Sequence, residues 1–226
     1  MEARKIFNDE LNRLRQNILA MAVTVEENLG RAISVMRNQD VDLVEEVREN
    51  DMKVDAYQIR IEDETAMLIA TQQPVARDLR EMVTIFKLTN NIERIGDHAV
   101  HLARAAGRLV KKRKPIYGAH EQWMQASMEK MAQTGQIMIR TAIEAYVKQD
   151  AQIARDAAAM DDGIDREHKA LTEYILKVMK KNPRLVKTAY KILHASSQLE
   201  RLGDHITNIC EAIVYMTEGK HEGLNA

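Results

Sequence analysis

One six-residue phrase occurs twice in this chain of 226 residues: Glu93-Arg94-Ile95-Gly96-Asp97-His98, and 107 positions later Glu200-Arg201-Leu202-Gly203-Asp204-His205. A repeat with a single Ile/Leu exchange is hard to obtain by chance, so it marks an internal duplication. Whatever the first half folds into, the second half must fold into as well. The turn signals repeat too. Asn38-Gln39-Asp40 is echoed by Lys148-Gln149-Asp150, and Gln72-Gln73-Pro74 by Lys181-Asn182-Pro183. A basic stretch, Lys111-Lys112-Arg113-Lys114-Pro115, then Tyr117-Gly118, separates the halves.

Between these marks the pattern is helical. Val47, Val54, Ile61 and Leu68 fall at seven-residue steps, as do Ala157, Ile164, Leu171 and Val178. No period-two run is long enough to be a strand. Three prolines and nine glycines leave little to interrupt helices. Six long helices are predicted, at about 3–37, 41–72, 75–112, 119–148, 151–181 and 184–217. Short turns force neighbours to run antiparallel. The fold class is all-α: two tandem three-helix bundles, residues 1–115 and 116–226.

Bulk properties exclude several functions. The formal net charge is −1, so no global field recruits nucleic acid or anionic membrane. Aromatic residues are only 4%, too few for a base-stacking surface. The basic stretch at 111–114 reads as a solvated helix end followed by a stop proline. Cys210 is the sole cysteine, so no intramolecular disulfide forms. With Ile206, Ile213 and Val214 at helical spacing it reads as a buried, inert thiol. The N-terminus lacks the apolar stretch of a signal peptide, and no apolar run reaches the ~18 residues of a membrane span. A reduced, cytoplasmic setting is the expectation.

The chemistry lies in the acids. Glu93/Asp97 and Glu200/Asp204 are spaced four apart, which stacks each pair on one helix face. Each is preceded by a second such pair, Asp51/Asp55 and Asp161/Asp165. In an antiparallel hairpin, residues equidistant from the turn face each other. Asp55 and Glu93 share the midpoint Pro74, as do Asp51 and Asp97. Asp165/Glu200 and Asp161/Asp204 share a midpoint between Asn182 and Pro183. Two clusters of four carboxylates are therefore expected. Glu93 falls on the row Leu79, Phe86, Val100, and Glu200 on the row Val186, Leu193, Thr207, Val214, rows that the pattern marks as core-facing.

Four ionised carboxylates cannot crowd together without protons or a counter-charge. A salt-bridge network through Arg94, Arg201, Lys87 or Lys191 is one solution. Arg94 and Arg201 directly follow their Glu, about 100° round the helix, so they are expected to face elsewhere. The repetition of the same four positions favours a cation. All-oxygen ligation suits iron, manganese, magnesium or calcium, with carboxylate-bound zinc also open. His101 is read as a bordering or solvent-facing residue, since its counterpart is Asn208. His98 and His205 either border the sites or bind in them. Gly96 and Gly203, each costing about 1 kcal/mol inside a helix, suggest close approach or room beside the acids.

At these residues the chain resembles the PhoU family of phosphate-signalling proteins. The resemblance spans about residues 5–217 and includes both Glu-Arg-x-Gly-Asp phrases, the upstream Asp pairs, and Gln73-Pro74-Val75-Ala76-Arg77-Asp78-Leu79-Arg80. It implies two similar three-helix bundles and, as in some members, metal clusters on paired acidic motifs. Those ligands would fall on Asp51, Asp55, Glu93, Asp97, Asp161, Asp165, Glu200 and Asp204. It also implies a cytoplasmic, often dimeric, negative regulator that couples the phosphate ABC transporter, through its ATPase subunit, to a sensor histidine kinase. The second copy lacks Asp-Leu-Arg after its turn and has a shorter hairpin.

A regulatory adaptor needs no catalytic centre, and the sequence offers no nucleophile–base pair or glycine-rich phosphate loop. The chain is therefore expected not to be an enzyme. The alternative is a di-metal carboxylate oxidase or phosphoesterase. Ferritin-like di-iron bundles use Glu-x-x-His, whereas Gly96 and Gly203 stand three residues after each Glu here. A histidine phosphotransfer module on His98 or His205 is a further, weaker reading.

Overall fold

The seven-residue rows of the sequence become the inner faces of long helices. The computed structural model describes residues 2–110 and 119–225. The basic stretch, Tyr117-Gly118 and the expected boundary between 115 and 116 lie outside them. Helix α1 spans Glu2–Asn38, α2 Leu43–Gln72, α3 Arg77–Val110, α4 Ala119–Lys148, α5 Ala151–Ala158, α6 Asp161–Lys181 and α7 Val186–Glu218. A single 3-10 turn, Pro183–Leu185, precedes α7, and no strand occurs among the described residues.

Helices α1–α3 form one bundle and α4–α7 the other. Val47, Val54, Ile61 and Leu68 of α2 are all buried, as the sevens require. On α6 the row runs Ile164, Leu171 and then Ile175, with Val178 only half-buried. A strict seven drifts by about 20° per repeat against a straight 3.6-residue helix, which accounts for the shift. The rows bearing Glu93 and Glu200 start at the border and run inward, with Val100, Thr207 and Val214 buried. Leu79 and Val186 at their starts are exposed, while the deep core uses Ile85, Ile92 and Ala99 on α3 and Ile192, Leu199 and Ile206 on α7.

The expected fifth helix is two. After Ala158 the chain tightens: the Ala159 N–H still donates to the Arg155 carbonyl at 3.0 Å, and the Met160 N–H to that of Ala157 at 3.2 Å. A new helix then opens at Asp161, its carboxylate in the first turn. In the first bundle α2 runs unbroken through Asp51. The first turns of both copies place a glutamine in the left-handed region, Gln39 at φ 55° and Gln149 at φ 53°. The second turns differ. Gln73 caps α2 at φ 47°, whereas Asn182 at φ −139° leads into the 3-10 turn.

The bundles do not stand apart. Helix α3 packs along α7, and α1 along α4. Thr84 donates to the Ala212 carbonyl, Asn91 meets His205 and His98 meets Gln198, so position rises on α3 as it falls on α7. The two helices are antiparallel about a pseudo-twofold axis. Buried apolar residues from Phe7 to Met216 form one continuous cluster. Cys210 lies within it, its thiol pushed up to about 12 by burial, as expected of an inert cysteine. No described helix is long and apolar enough to cross a membrane.

Candidate functional site

The hairpin geometry brings each acidic quartet together on facing helices, with a gradient of depth. In the first cluster Asp51 of α2 is half-buried and Asp55 exposed, opposite half-buried Glu93 and Asp97 of α3. In the second, Asp161 is only 5% exposed. Asp165 is exposed, and Glu200 and Asp204 are half-buried. The same order of depth occurs in both copies.

The inner aspartates occupy space that two glycines leave. A Cβ on Gly96 would stand 2.7 Å from Asp51 Oδ1, and one on Gly203 only 2.0 Å from Asp161 Oδ1. Closeness to the backbone of the facing helix strips these carboxyls of water. Burial first, then Asp55, Asp97 and Glu93, push the Asp51 carboxyl up to about 7, against a pull from Arg104. Burial and then Asp165, with Asp204 and Glu200, push Asp161 up to about 7 against its Thr207 hydrogen bond. Glu93, Glu200 and Asp204 are raised as well, burial being the largest cause in each. The clusters are electrically coupled.

Their partners differ. Arg94 turns back to the first cluster, contrary to the sequence expectation, and lies 3.5 Å from Glu93 and 3.2 Å from Asp97. A long flexible side chain can reverse the direction its Cβ sets. Lys87 instead lies over the Tyr215 ring. In the second cluster the hydrogen bonds come from neutral donors, Thr207 to Asp161 at 3.1 Å and Asn225 to Asp204 at 3.3 Å. Among the described residues Asp161 Oδ1 is buried with neither a hydrogen bond nor an ion pair, and Glu93 Oε2 is buried with only the Arg94 guanidinium nearby. An orphaned, desolvated carboxylate oxygen is a donor atom in want of a cation or a proton. The residues thus fit hard-cation binding in type and charge. In their present side-chain positions, no three Asp, Glu, His or Cys among the described residues converge on one point.

The histidines do something the sequence did not disclose. His98 and His205 stack on each other across the repeats, ring centroids 5.3 Å apart. His98 Nδ1 meets Gln198 Oε1 and His205 Nδ1 meets Asn91 Oδ1, each at 2.9 Å. Burial lowers both, and with His98, Arg94 and Arg201 nearby takes His205 down to about 4. His101 is exposed, edge-on to His98. Asn91 and Gln198 each stand seven residues before a repeated histidine, so the duplication held a signal for them. Thr207 and Asn225 have no counterpart pattern to reveal them.

Comparison with known proteins decides the family. The PhoU domain matches residues 18–106 and 128–213, once in each bundle. This chain belongs to the PhoU family. The phosphate-specific transport system accessory protein PhoU homolog of Pseudomonas putida is 33% identical over 96% of this chain and 84% of that protein. The PhoU accessory protein of Escherichia coli K12 is 30% identical over 95% of this chain and 86% of its own length. Among solved structures, PhoU from Pseudomonas aeruginosa superposes with a TM-score of 0.87 at 32% identity, covering 95% of this chain and all of that one. The phosphate transport system regulatory protein PhoU from Streptococcus pneumoniae gives 0.84 at 28% identity, over 96% of this chain and 99% of the other.

Proposed function

We propose that this PhoU protein is a cytoplasmic, non-enzymatic regulator of phosphate transport whose two acidic clusters hold metal ions. The regulatory role is supported by relatives that are named phosphate transport accessory or regulatory proteins and align over nearly the whole chain. The metal role is supported by one observation above others. Each half holds a desolvated carboxylate oxygen without a hydrogen bond: Asp161 Oδ1, which has no ion pair either among the described residues, and Glu93 Oε2, which the Arg94 guanidinium approaches to 3.5 Å.

Asp51, Asp55, Glu93 and Asp97 would hold one set, and Asp161, Asp165, Glu200 and Asp204 the other. Carboxylate oxygens suit iron, manganese, magnesium or zinc. A bound ion would supply the positive charge that the crowded carboxyls of Asp51, Asp161 and their neighbours lack. Its presence or absence would bias the packing of α2 on α3 and of α6 on α7. A regulator needs such a two-state element for its partners to read. The partners of this reading are the ATPase subunit of the phosphate ABC transporter and a phosphate-sensing histidine kinase, met by a homodimer.

Elemental analysis of the purified protein tests the metal assignment. Glu93→Gln with Asp97→Asn should lower the metal-to-protein ratio by the content of one cluster. An unchanged ratio refutes the assignment. Co-purification with the host's own transporter ATPase and sensor kinase, each supplied as defined protein, tests the adaptor role. Failure to bind either removes it.

A further inference from the structure

The stacked pair His98 and His205 sits between the two acidic clusters and belongs to neither quartet. It also joins the repeats, one ring from α3 and one from α7. Each ring is held by an amide of the opposite repeat, His98 by Gln198 and His205 by Asn91. An amide oxygen can only accept, so each Nδ1 carries the hydrogen and each Nε2 carries the lone pair. That is the arrangement metal-binding histidines adopt: one nitrogen donates to a fixed acceptor while the other faces the ion.

The spacing agrees. Two imidazoles bound to one ion at ~2.0–2.1 Å, with a near-tetrahedral angle between them, have ring centroids about 5 Å apart. The observed separation is 5.3 Å. Both rings are half-buried, so an ion can reach them from solvent. His101 follows His98 on α3, exposed and with its ring centroid 6.4 Å away, within reach after a rotamer change.

We propose that His98 and His205 form a metal clip across the pseudo-twofold seam for a borderline divalent ion (zinc, nickel or copper), with His101 as a third ligand and water completing the shell. The clip differs from the acidic clusters in its ligand atoms: imidazole nitrogen favours borderline ions and carboxylate oxygen harder ones, with zinc open to both. Asp97 and Asp204 both add negative potential at His98, while Arg94 and Arg201 act against positive charge at His205. An ion here ties α3 to α7 and so fixes one acidic cluster relative to the other. The clip does not depend on those clusters being occupied.

Copper is the probe, because coordinated imidazole nitrogens split its electron paramagnetic resonance signal. One equivalent of Cu²⁺ added to the full-length wild-type protein near neutral pH should show coupling to two or three nitrogens. His98→Gln with His205→Gln should abolish that pattern and weaken copper binding by about 100-fold or more, on the scale of losing two of the three protein ligands. Asn91→Ala with Gln198→Ala leaves both rings in place but frees their orientation, and should weaken binding by roughly 10–100-fold. Glu93→Gln with Asp97→Asn should retain the nitrogen pattern, which separates this site from the carboxylate one. The proposal is overturned by a wild-type spectrum without nitrogen coupling, by coupling that persists in the double histidine variant, or by unchanged affinity when Asn91 and Gln198 are removed.

Discussion

At Asp161 burial and charge conflict most directly. Its carboxyl titrates near 4 in an unfolded chain and at about 7 in the folded protein. The folded state holds the proton more tightly, so the contribution of Asp161 to stability carries no penalty below pH ~4, worsens as pH rises through that interval, and bears the full penalty above about 7. Asp161→Asn should therefore stabilise the chelated protein at pH 8 by on the order of a few kcal/mol, with the gain shrinking towards pH 4. Urea unfolding at the two pH values measures this. The same variant should lose the ion of the second cluster, so stability and binding move in opposite directions. Gly203→Ala tests the space itself. A helix-interior Gly→Ala change ordinarily stabilises by about 1 kcal/mol. Here the new Cβ would lie 2.0 Å from Asp161 Oδ1, with Ile164 Cδ1 at 3.3 Å behind it. The expected outcome is no gain in melting temperature and a fall in metal content confined to the second cluster.

At the scale of elements, the second bundle departs from its duplicate where α5 ends and α6 begins. Helix α5 has only eight residues and depends on its cap. Asp150 accepts from the Gln152 and Ile153 N–H groups at 2.8 and 3.2 Å. Asp150→Ala should cost about 1 kcal/mol, seen as a lowered unfolding midpoint with metal content retained. The interruption itself matters because Asp161 falls in the first turn of α6, at the positive end of that helix's dipole. Asp51 sits mid-helix and lacks that support. The two clusters are thus alike in composition but not in local field, and the first has Arg94 where the second has Thr207 and Asn225.

For the whole molecule, the decisive contact is between the repeats. Leu202 on α7 is buried, and its Cδ2 stands 2.9 Å from where a Cβ on Gly135 of α4 would be, with Leu29 of α1 at 3.5 Å from the same point. Leu29, from the first bundle, thereby reaches across the seam into the second. Leu29→Ala should cost about 2–5 kcal/mol and lower a single unfolding transition. A calorimetric enthalpy equal to the van't Hoff value would verify that the bundles melt together. Two separated transitions would show that each bundle holds its own core. The many ion pairs on the surface, such as Arg31–Glu27 and Lys148–Glu144, contribute at most about 1 kcal/mol each and do not set this cooperativity.

The sequence by itself determined the helices, the duplication and which acids stand near one another on facing helices. Those features are local or periodic: a seven-residue row marks a helix face, and equal distances from a turn mark opposite residues. It did not determine the break before Asp161, since a few residues of helix there cost little and the neighbours decide. Nor did it place Arg94, whose flexible side chain follows the field and not its Cβ. The pairing of His98 with His205 was decided by the docking of α3 on α7. That docking rests on the shapes of two apolar faces from opposite ends of the chain, and no spacing along the sequence encodes how two such surfaces fit together.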